Sequence, residues 1–225
     1  MAEAVFQIEE ELDREKTTVW GFCIYRCTYE SDTDWTAFLN RLTDHLKEGL
    51  EFDEGEHLLE SHEMTVFDNR ALFDGATTTQ CREHFADWAD RAPNEEGDPG
   101  FDRGSWSEEA ARYNYFIHVD AASMHSVLAE IQPGAGAKGY VNLVQKSWAI
   151  EDEEPPEGDS DSDGYLTPQP QYPPIEGMTV ERVGFVRVGY ADALLGVYAE
   201  MYDPNGWNMA VRICGRPPNM GDPGM

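Results

Sequence analysis

The chain has 225 residues, of which 44 are acidic and 16 are basic, so its formal net charge is −28. A surface of that charge repels nucleic acid and anionic membranes, and we expect neither to be a direct partner. The apolar content of 40% is sufficient for a folded core, whereas no apolar run approaches the roughly 20 residues that span a bilayer.

The first third of the chain predicts an arm, a strand and a helix. Residues 1–16 are charged throughout and predict an acidic N-terminal arm, helical or frayed. The next segment, TVWGFCIYRCTY, is rich in β-branched and aromatic residues and predicts a strand over residues 18–29. A helix follows, with Ser31 as a candidate cap and apolar residues at spacings of three and four from Trp35 to Leu50.

A second strand and a second helix come next. The strand is predicted over residues 62–69. Thr77 and Gln80 have the spacing of a capping box at the start of the helix, and Pro93 ends it. Residues 93–111 are rich in Gly, Pro and acids and predict a connection.

The middle of the chain has the order strand, helix, strand. RYNYFIHVD predicts a strand over residues 112–120, the amphipathic segment 121–131 predicts a helix, and YVNLVQKSWAI predicts a strand over residues 140–150. The last third adds a strand, a helix and a final strand, over residues 180–190, 191–202 and 207–214.

This order of elements predicts an α+β fold, with a mainly antiparallel sheet and helices packed on one face. The pieces at residues 17–69 and 112–150 are each strand–helix–strand units, which is compatible with a ferredoxin-like arrangement. The two pieces share no detectable sequence repeat, so the pattern alone does not indicate a duplication.

We expect one domain, formed by residues 17–150, completed by residues 179–213 and followed by a tail over residues 214–225. Between its two parts lies an insert, residues 151–178, that is rich in acids and proline. Such a segment cannot bury enough apolar surface to offset the entropy lost on ordering, so we expect it to be disordered.

The insert contains GDSDSDGYLTPQP, which resembles the opening of an EF-hand calcium loop. Asp159, Asp161 and Asp163 match its first oxygen ligands, and Gly164 matches its glycine. The twelfth position, where the loop needs a bidentate Glu, is Pro170, and prolines stand where flanking helices are required. We therefore predict an acidic interaction loop rather than a calcium site.

Three segments carry a resemblance to a known group. They are WGFCIYRCTYESDTDW with its following amphipathic helix, YNYFIHVD, and VGFVRVGYADALLGVYAEM. Together they resemble a large family of uncharacterised intracellular proteins of filamentous fungi, over roughly residues 19–202. The shared motifs are aromatic and apolar, as core positions are. The resemblance implies a fold and a fungal source, and it carries over no activity and no catalytic residue.

The cysteines and histidines give no strong sign of a metal or a disulfide. Cys23 and Cys27 lie four residues apart in a predicted strand, which separates their Cα atoms by about 13 Å, too far for a disulfide. The N-terminus also lacks a secretory apolar segment, so we expect reduced thiols in an intracellular protein, cytoplasmic or nuclear. Cys81 and His84 have the spacing of two metal ligands on a helix, but no second pair at a known spacing accompanies them. We therefore predict neither a metal nor another cofactor.

Four residues are candidates for a ligand pocket on the sheet. Arg26 follows Tyr25 on an apolar strand, where it is either on the exposed face or buried with a carboxylate partner. His118, in YFIHVD, is either a hydrogen-bonded sheet histidine or a pocket residue beside Tyr115. The sequence shows no nucleophile and no acid–base set, so whether the chain is an enzyme stays open.

The charge favours a non-enzymatic intracellular binding or scaffold protein, whose acidic face and acidic loop engage a basic protein partner. The alternative is a small-molecule enzyme or ligand binder, with a pocket on a ferredoxin-like sheet lined by Arg26, Tyr25, Tyr115 and His118. Neither hypothesis fixes the oligomeric state, and a homodimer is compatible with both.

Overall fold

The computed structural model describes residues 3–97, 110–129, 139–150 and 172–217. These residues form a sheet with helices packed around it, so the predicted α+β class is confirmed. The predicted acidic loop, with Asp159, Asp161 and Asp163, lies outside the described residues. Within the described ranges, none of the helices has the length and apolar character needed to cross a bilayer.

Five strands form one mixed sheet. They are β1 (Cys23–Arg26), β2 (Val66–Phe67), β3 (Tyr115–Val119), β4 (Tyr140–Gln145) and β5 (Phe185–Gly189). Their order is β2-β1-β3-β4-β5. β1 is parallel to β2 and β3, whereas β4 is antiparallel to β3 and β5. The sheet is therefore not mainly antiparallel as predicted, and a ferredoxin-like arrangement is not confirmed. Parallel neighbours need a crossover connection, which the helical segments after β1 and β2 supply.

The described residues contain nine α-helices and one 3₁₀ turn, Glu56–Glu60. The helices are α1 (Glu3–Glu15), α2 (Asp32–Phe52), α3 (Arg70–Phe73), α4 (Thr78–Ala89), α5 (Ala92–Glu96), α6 (Ala111–Asn114), α7 (Ala121–Leu128), α8 (Gly196–Glu200) and α9 (Gly206–Cys214). The predicted final strand over residues 207–214 is wrong, because this segment forms α9. Its inward residues Trp207, Ala210 and Val211 follow the spacing of a helix and not the alternation of a strand.

Helices α2 and α4 begin where the sequence predicted. Ser31 caps α2, and its side-chain oxygen accepts a hydrogen bond from the backbone N–H of Asp34 at 3.1 Å. Thr77 and Gln80 form the predicted capping box of α4. The apolar stripe of α2 is buried along its whole length and consists of Trp35, Phe38, Leu42, Leu46 and Leu50.

Helices cover both faces of the sheet, not one face as predicted. The α2 face is the side on which α1, α2, α7 and α8 pack, and its strand residues include Ile24, Ile117, Val141, Leu143, Val186 and Val188. The α4 face is the opposite side, where α4 packs, and its strand residues include Cys23, Tyr25, Phe116, Val144 and Phe185. Side chains alternate along a strand, so neighbours such as Cys23 and Ile24 belong to different faces.

One buried guanidinium joins the beginnings of the strands to the loops around them. The side chain of Arg112 is 1% exposed and pairs with Glu96, with an Nε–Oε2 distance of 2.7 Å. It also donates to the carbonyl oxygens of Gly21 and Glu63, at 2.7 and 2.9 Å, and to the hydroxyl of Thr65 at 2.8 Å. Gly21 has a φ of +114°, a conformation that residues with a side chain rarely adopt.

Candidate functional site

The chain changes its winding direction between β1 and β3. The connection from β1 to β2 passes over the α2 face, whereas the connection from β2 to β3 passes over the α4 face. In open sheets with parallel strands, ligands bind beyond the carboxyl ends of the strands at such a switch point. The residues at this edge are Arg26 at the end of β1 with Cys27 after it, Asp68 after β2, and His118 near the end of β3 with Asp120 after it.

Arg26 lies at this edge with its hydrogen-bonding groups already engaged. It is 5% exposed. Its guanidinium bonds to Asp32 and, at 3.2 Å, to Asp68, and its Nε donates to the carbonyl of Thr28 at 3.0 Å. The same group lies over the ring of Tyr29, at 4.3 Å from the centroid. The structure therefore shows the buried, carboxylate-paired alternative, and Arg26 fixes the start of α2 to the strand ends.

Tyr25 and His84 form a pair on the α4 face. The hydroxyl of Tyr25 and Nδ1 of His84 are 2.8 Å apart. Burial raises the pKa of Tyr25 well above its usual range, and burial lowers the pKa of His84. His84 therefore interacts with Tyr25. The spacing of Cys81 and His84 suggested two metal ligands on one helix, but the group of possible ligands in the described residues contains Cys81 without His84.

Cys81 instead meets two residues from the strand ends. The Sγ atoms of Cys27 and Cys81 are 3.6 Å apart. A ring nitrogen of His118 joins them, and the three ligating atoms all lie within 4.8 Å of one another. The three residues are 4%, 0% and 3% exposed, and both thiols are free. The hydrogen bond to Cys81, together with burial, raises the pKa of Cys27 well above its usual value.

The four predicted pocket residues are divided between the two faces. Tyr25 and His118 are opposite each other in the register of β1 and β3 and lie on the α4 face. Arg26 and Tyr115 lie on the α2 side, where Tyr115 stacks on Trp207 with ring centroids 5.6 Å apart. Burial raises the pKa of Tyr115 to about 12. The structure therefore does not bring the four residues together in one pocket.

Two cavities on the described surface share Trp148. The larger, about 690 Å³, is a groove beside β5 lined by Trp148, Trp207 and Arg212, and the smaller, about 450 Å³, adjoins Arg82. Burial lowers the pKa of Arg82 to about 10. This guanidinium is committed to the carbonyl oxygens of Gln145 and Gly184, at 2.8 and 3.3 Å. None of the four predicted pocket residues lines either cavity.

A surface feature that sequence reasoning missed lies at the C-terminal end of α2. We call residues 48–60 the acidic end. It carries six carboxylates and neither Lys nor Arg: Glu48, Glu51, Asp53, Glu54, Glu56 and Glu60. Phe52, in the last turn of α2, is 87% exposed. The net charge alone does not locate this surface, because it counts every carboxylate of the chain equally. The local signal was the absence of any basic residue in the last turn of a long helix.

α1 packs against the acidic end and adds a second exposed aromatic ring. A Cβ atom at Gly55 would lie 2.5 Å from the side chain of Val5 of α1, so the backbone at Gly55 packs directly against that side chain. Nε2 of His57 lies 2.7 Å from Glu9 of α1. Phe6, the residue after Val5, is 56% exposed.

No family model, curated protein or solved structure matches the chain. The geometry described above is therefore what bears on its function.

Proposed function

We propose that this chain is a non-enzymatic binding protein that engages a basic protein partner through the acidic end of α2. The observation that carries the proposal is the pairing of six carboxylates with a ring, Phe52, that is 87% exposed. Exposed large aromatic residues that are ringed by charge are characteristic of recognition surfaces.

Electrostatics make this helix end a receptor for positive charge. The C-terminal end of an α-helix carries about half a negative charge from its aligned peptide dipoles, and Lys or Arg there is stabilising. α2 has no basic residue in its last turn, and Glu48 and Glu51 stand there instead. No Lys or Arg within residues 48–60 offsets the repulsion between these carboxylates and the helix end. A cationic partner would reduce that repulsion. Local conflicts of this kind occur where function requires them.

The exposed rings narrow the class of partner. Phe52 and Phe6 provide apolar anchors beside the carboxylates, so the matching surface carries both Lys or Arg and apolar side chains. An amphipathic basic helix has this combination, because its charged and apolar residues lie on adjacent faces. The free thiols of all four cysteines support an intracellular site of action.

The test is a binding titration of the full chain with a synthetic amphipathic helical peptide rich in Lys and Leu, followed by fluorescence anisotropy. The triple variant Glu48→Lys, Glu51→Lys and Glu56→Lys should weaken binding by about tenfold or more, because like charges then face each other. Phe52→Ser should weaken it without changing the charge. Raising the salt concentration to about 0.5 M should also weaken wild-type binding, because exposed charges are then screened.

The matched control makes the same charge change on another helix end. Glu83, Asp87 and Asp90 are exposed on and beside α4, with Arg91 directly after them and no fully exposed ring among them. Their triple substitution by Lys should affect peptide binding much less than the triple variant in the acidic end. An equal loss in both variants would show that the overall charge binds the peptide. Binding that is unaffected by salt would contradict the proposal altogether.

A further inference from the structure

A group of potential metal-ligating atoms lies at the carboxyl ends of the strands, at the switch point. None of these atoms belongs to the acidic end. Cys27 follows β1, His118 is the fourth residue of β3, and Cys81 lies in the first half of α4. They come from three separate elements, and all three are buried. We propose that Cys27, Cys81 and His118 form a binding site for a divalent transition-metal ion, with zinc as the natural occupant.

The distances suit a tetrahedral zinc ion. A zinc–sulfur bond of about 2.3 Å at a tetrahedral angle separates two ligating sulfurs by about 3.8 Å. The Sγ atoms of Cys27 and Cys81 are 3.6 Å apart, and a ring nitrogen of His118 lies within 4.8 Å of both. The two sulfurs therefore already have the separation of zinc ligands, and side-chain rotation would bring the nitrogen to bonding distance. Two cysteines and one histidine are also a ligand set that zinc proteins use.

The hydrogen bonding of His118 prepares one ring nitrogen as a ligand. Its Nε2 lies 2.8 Å from the carbonyl oxygen of Ala76, and that contact requires Nε2 to carry the proton. Nδ1 then has a free lone pair, and it is buried without any hydrogen-bond partner. A buried nitrogen without a partner is costly. Histidines that bind metals characteristically donate their other N–H to a carbonyl or carboxylate.

Charge balance selects a divalent ion. Two thiolates and a neutral imidazole carry a charge of −2, so an ion of charge +2 gives a neutral site, which suits a buried environment. A monovalent copper ion would leave a net charge of −1 there. Thiolate and imidazole ligands together favour zinc over magnesium or calcium, which prefer oxygen.

A second buried atom on the same face also lacks a hydrogen-bond partner, and it is a side-chain oxygen. Asn142 of β4 is opposite His118 in the sheet register, is 1% exposed and donates from Nδ2 to the carbonyl of His118 at 3.2 Å. Its Oδ1 is buried and has no hydrogen-bond partner. Three protein ligands leave one zinc position for a further donor, and this face of the sheet has an amide oxygen to direct towards it.

The test uses cobalt and zinc with the full-length chain, stripped of metal by a chelator and kept reduced by a phosphine. One cobalt ion per chain should produce the visible bands of tetrahedral coordination and a thiolate charge-transfer band in the near ultraviolet. An equimolar amount of zinc should remove both. The carboxylates of this chain also attract divalent ions, but they give neither the charge-transfer band nor the intense visible bands.

Variants identify the ligands. Cys27→Ser, Cys81→Ser and His118→Gln should each lower zinc affinity by more than about tenfold, a loss that even outer-shell changes reach. Cys23→Ala is the matched control, because Cys23 is buried in β1, four residues before Cys27 and on the same face, but lies outside the cluster. Cys23→Ala and Cys214→Ser should keep the full cobalt spectrum.

A measurement on the wild-type chain covers the case in which a variant does not fold. Zinc should raise the unfolding temperature relative to chelator, and near the unfolding midpoint it should slow the alkylation of Cys27 and Cys81. A cobalt spectrum without the charge-transfer band would overturn the proposal, as would a band that survives in the Cys27→Ser and Cys81→Ser variants. The peptide titration of the acidic end is independent, so either proposal can fail without the other.

Discussion

The two faces of the sheet differ in what they bury, although the same strands supply both. On the α2 face, strand residues such as Ile24, Ile117 and Leu143 meet the apolar stripes of α1 and α2. On the α4 face, the buried side chains include Tyr25, three cysteines and His118, and Tyr25 bonds to the half-buried His84. The polar groups buried on the α2 face, such as Arg26 and Glu11, are engaged with partners, whereas the α4 face holds Nδ1 of His118 without one.

Adjacent residues of one strand can therefore have different roles, one in apolar packing and the next in polar interactions. Because side chains alternate, Ile24 can contribute to the core while Cys23 and Tyr25 on either side face the other layer. The α4 face retains a buried nitrogen without a hydrogen-bond partner, Nδ1 of His118, and the remaining packing of the fold has to offset its cost.

The largest expected effect is on the α2 face. Phe38 is fully buried and stacks on Trp35, with ring centroids 5.4 Å apart. Phe38→Ala should lower the free energy of unfolding by about 3–5 kcal/mol, from lost burial and the cavity left behind. Urea unfolding followed by circular dichroism measures it, and the loss should be the same in zinc and in chelator.

The second prediction concerns Cys81→Ala, a substitution on the α4 face. In chelator it should cost less than Phe38→Ala, because only one sulfur atom is removed. The stabilisation that zinc gives to the wild-type chain should disappear in this variant. Equal responses of the two variants to zinc would mean that the faces do not differ in the way described.

The third prediction concerns the buried ion pair on the side of the α4 face. The side chain of Glu96 is 17% exposed and accepts hydrogen bonds from Arg112 and from the hydroxyl of Tyr113, at 2.9 Å for the tyrosine. Glu96→Ala should cost about 3 kcal/mol, the lower end for breaking a buried pair, because the guanidinium then keeps only the longer ion pair with Glu63, at 3.8 Å. Thermal and urea unfolding measure it. Glu95 is the neighbouring exposed acid, and Glu95→Ala should change stability little.

The last prediction is a pH dependence of stability that arises from the α2 face. Glu11 of α1 is 1% exposed, and burial raises its pKa from 4.5 to about 8. Hydrogen bonds from the backbone N–H of Ala111 and from the hydroxyl of Tyr198 oppose that rise, as does the charge of Arg14, while Glu15 adds to it. The folded chain therefore holds a proton at neutral pH that the unfolded chain has released.

The sign of the effect follows from this difference in proton binding. Between pH 4.5 and about 8 the folded state binds more protons at Glu11, so its contribution to stability falls as pH rises. The slope from this single group is at most about 1.4 kcal/mol per pH unit. Glu11→Gln should flatten the dependence in urea unfolding at pH 5 to about 8. Glu10→Gln, on the exposed side of the same helix, should leave it unchanged.

Local physics made much of the fold predictable. The apolar spacing from Trp35 to Leu50 and the cap at Ser31 defined α2, and Thr77 with Gln80 defined the start of α4. These signals depend on residues within one or two turns of each other, so they are present in the sequence itself. The same reasoning failed for α9, where a short apolar segment fitted a strand as well as a helix until its packing was known.

What the sequence alone determined about this protein is the longer helices, the location of most strands, the net charge and the α+β class, because periodicity, capping and composition are properties of neighbouring residues. Only the tertiary structure decided that β1 is parallel to β3, and with it that Cys27, Cys81 and His118 meet at one edge. Strand direction depends on how crossovers pack, over distances that no local pattern records. The exposure of Phe52 was likewise decided by the tertiary structure, because the neighbouring described elements leave its ring uncovered.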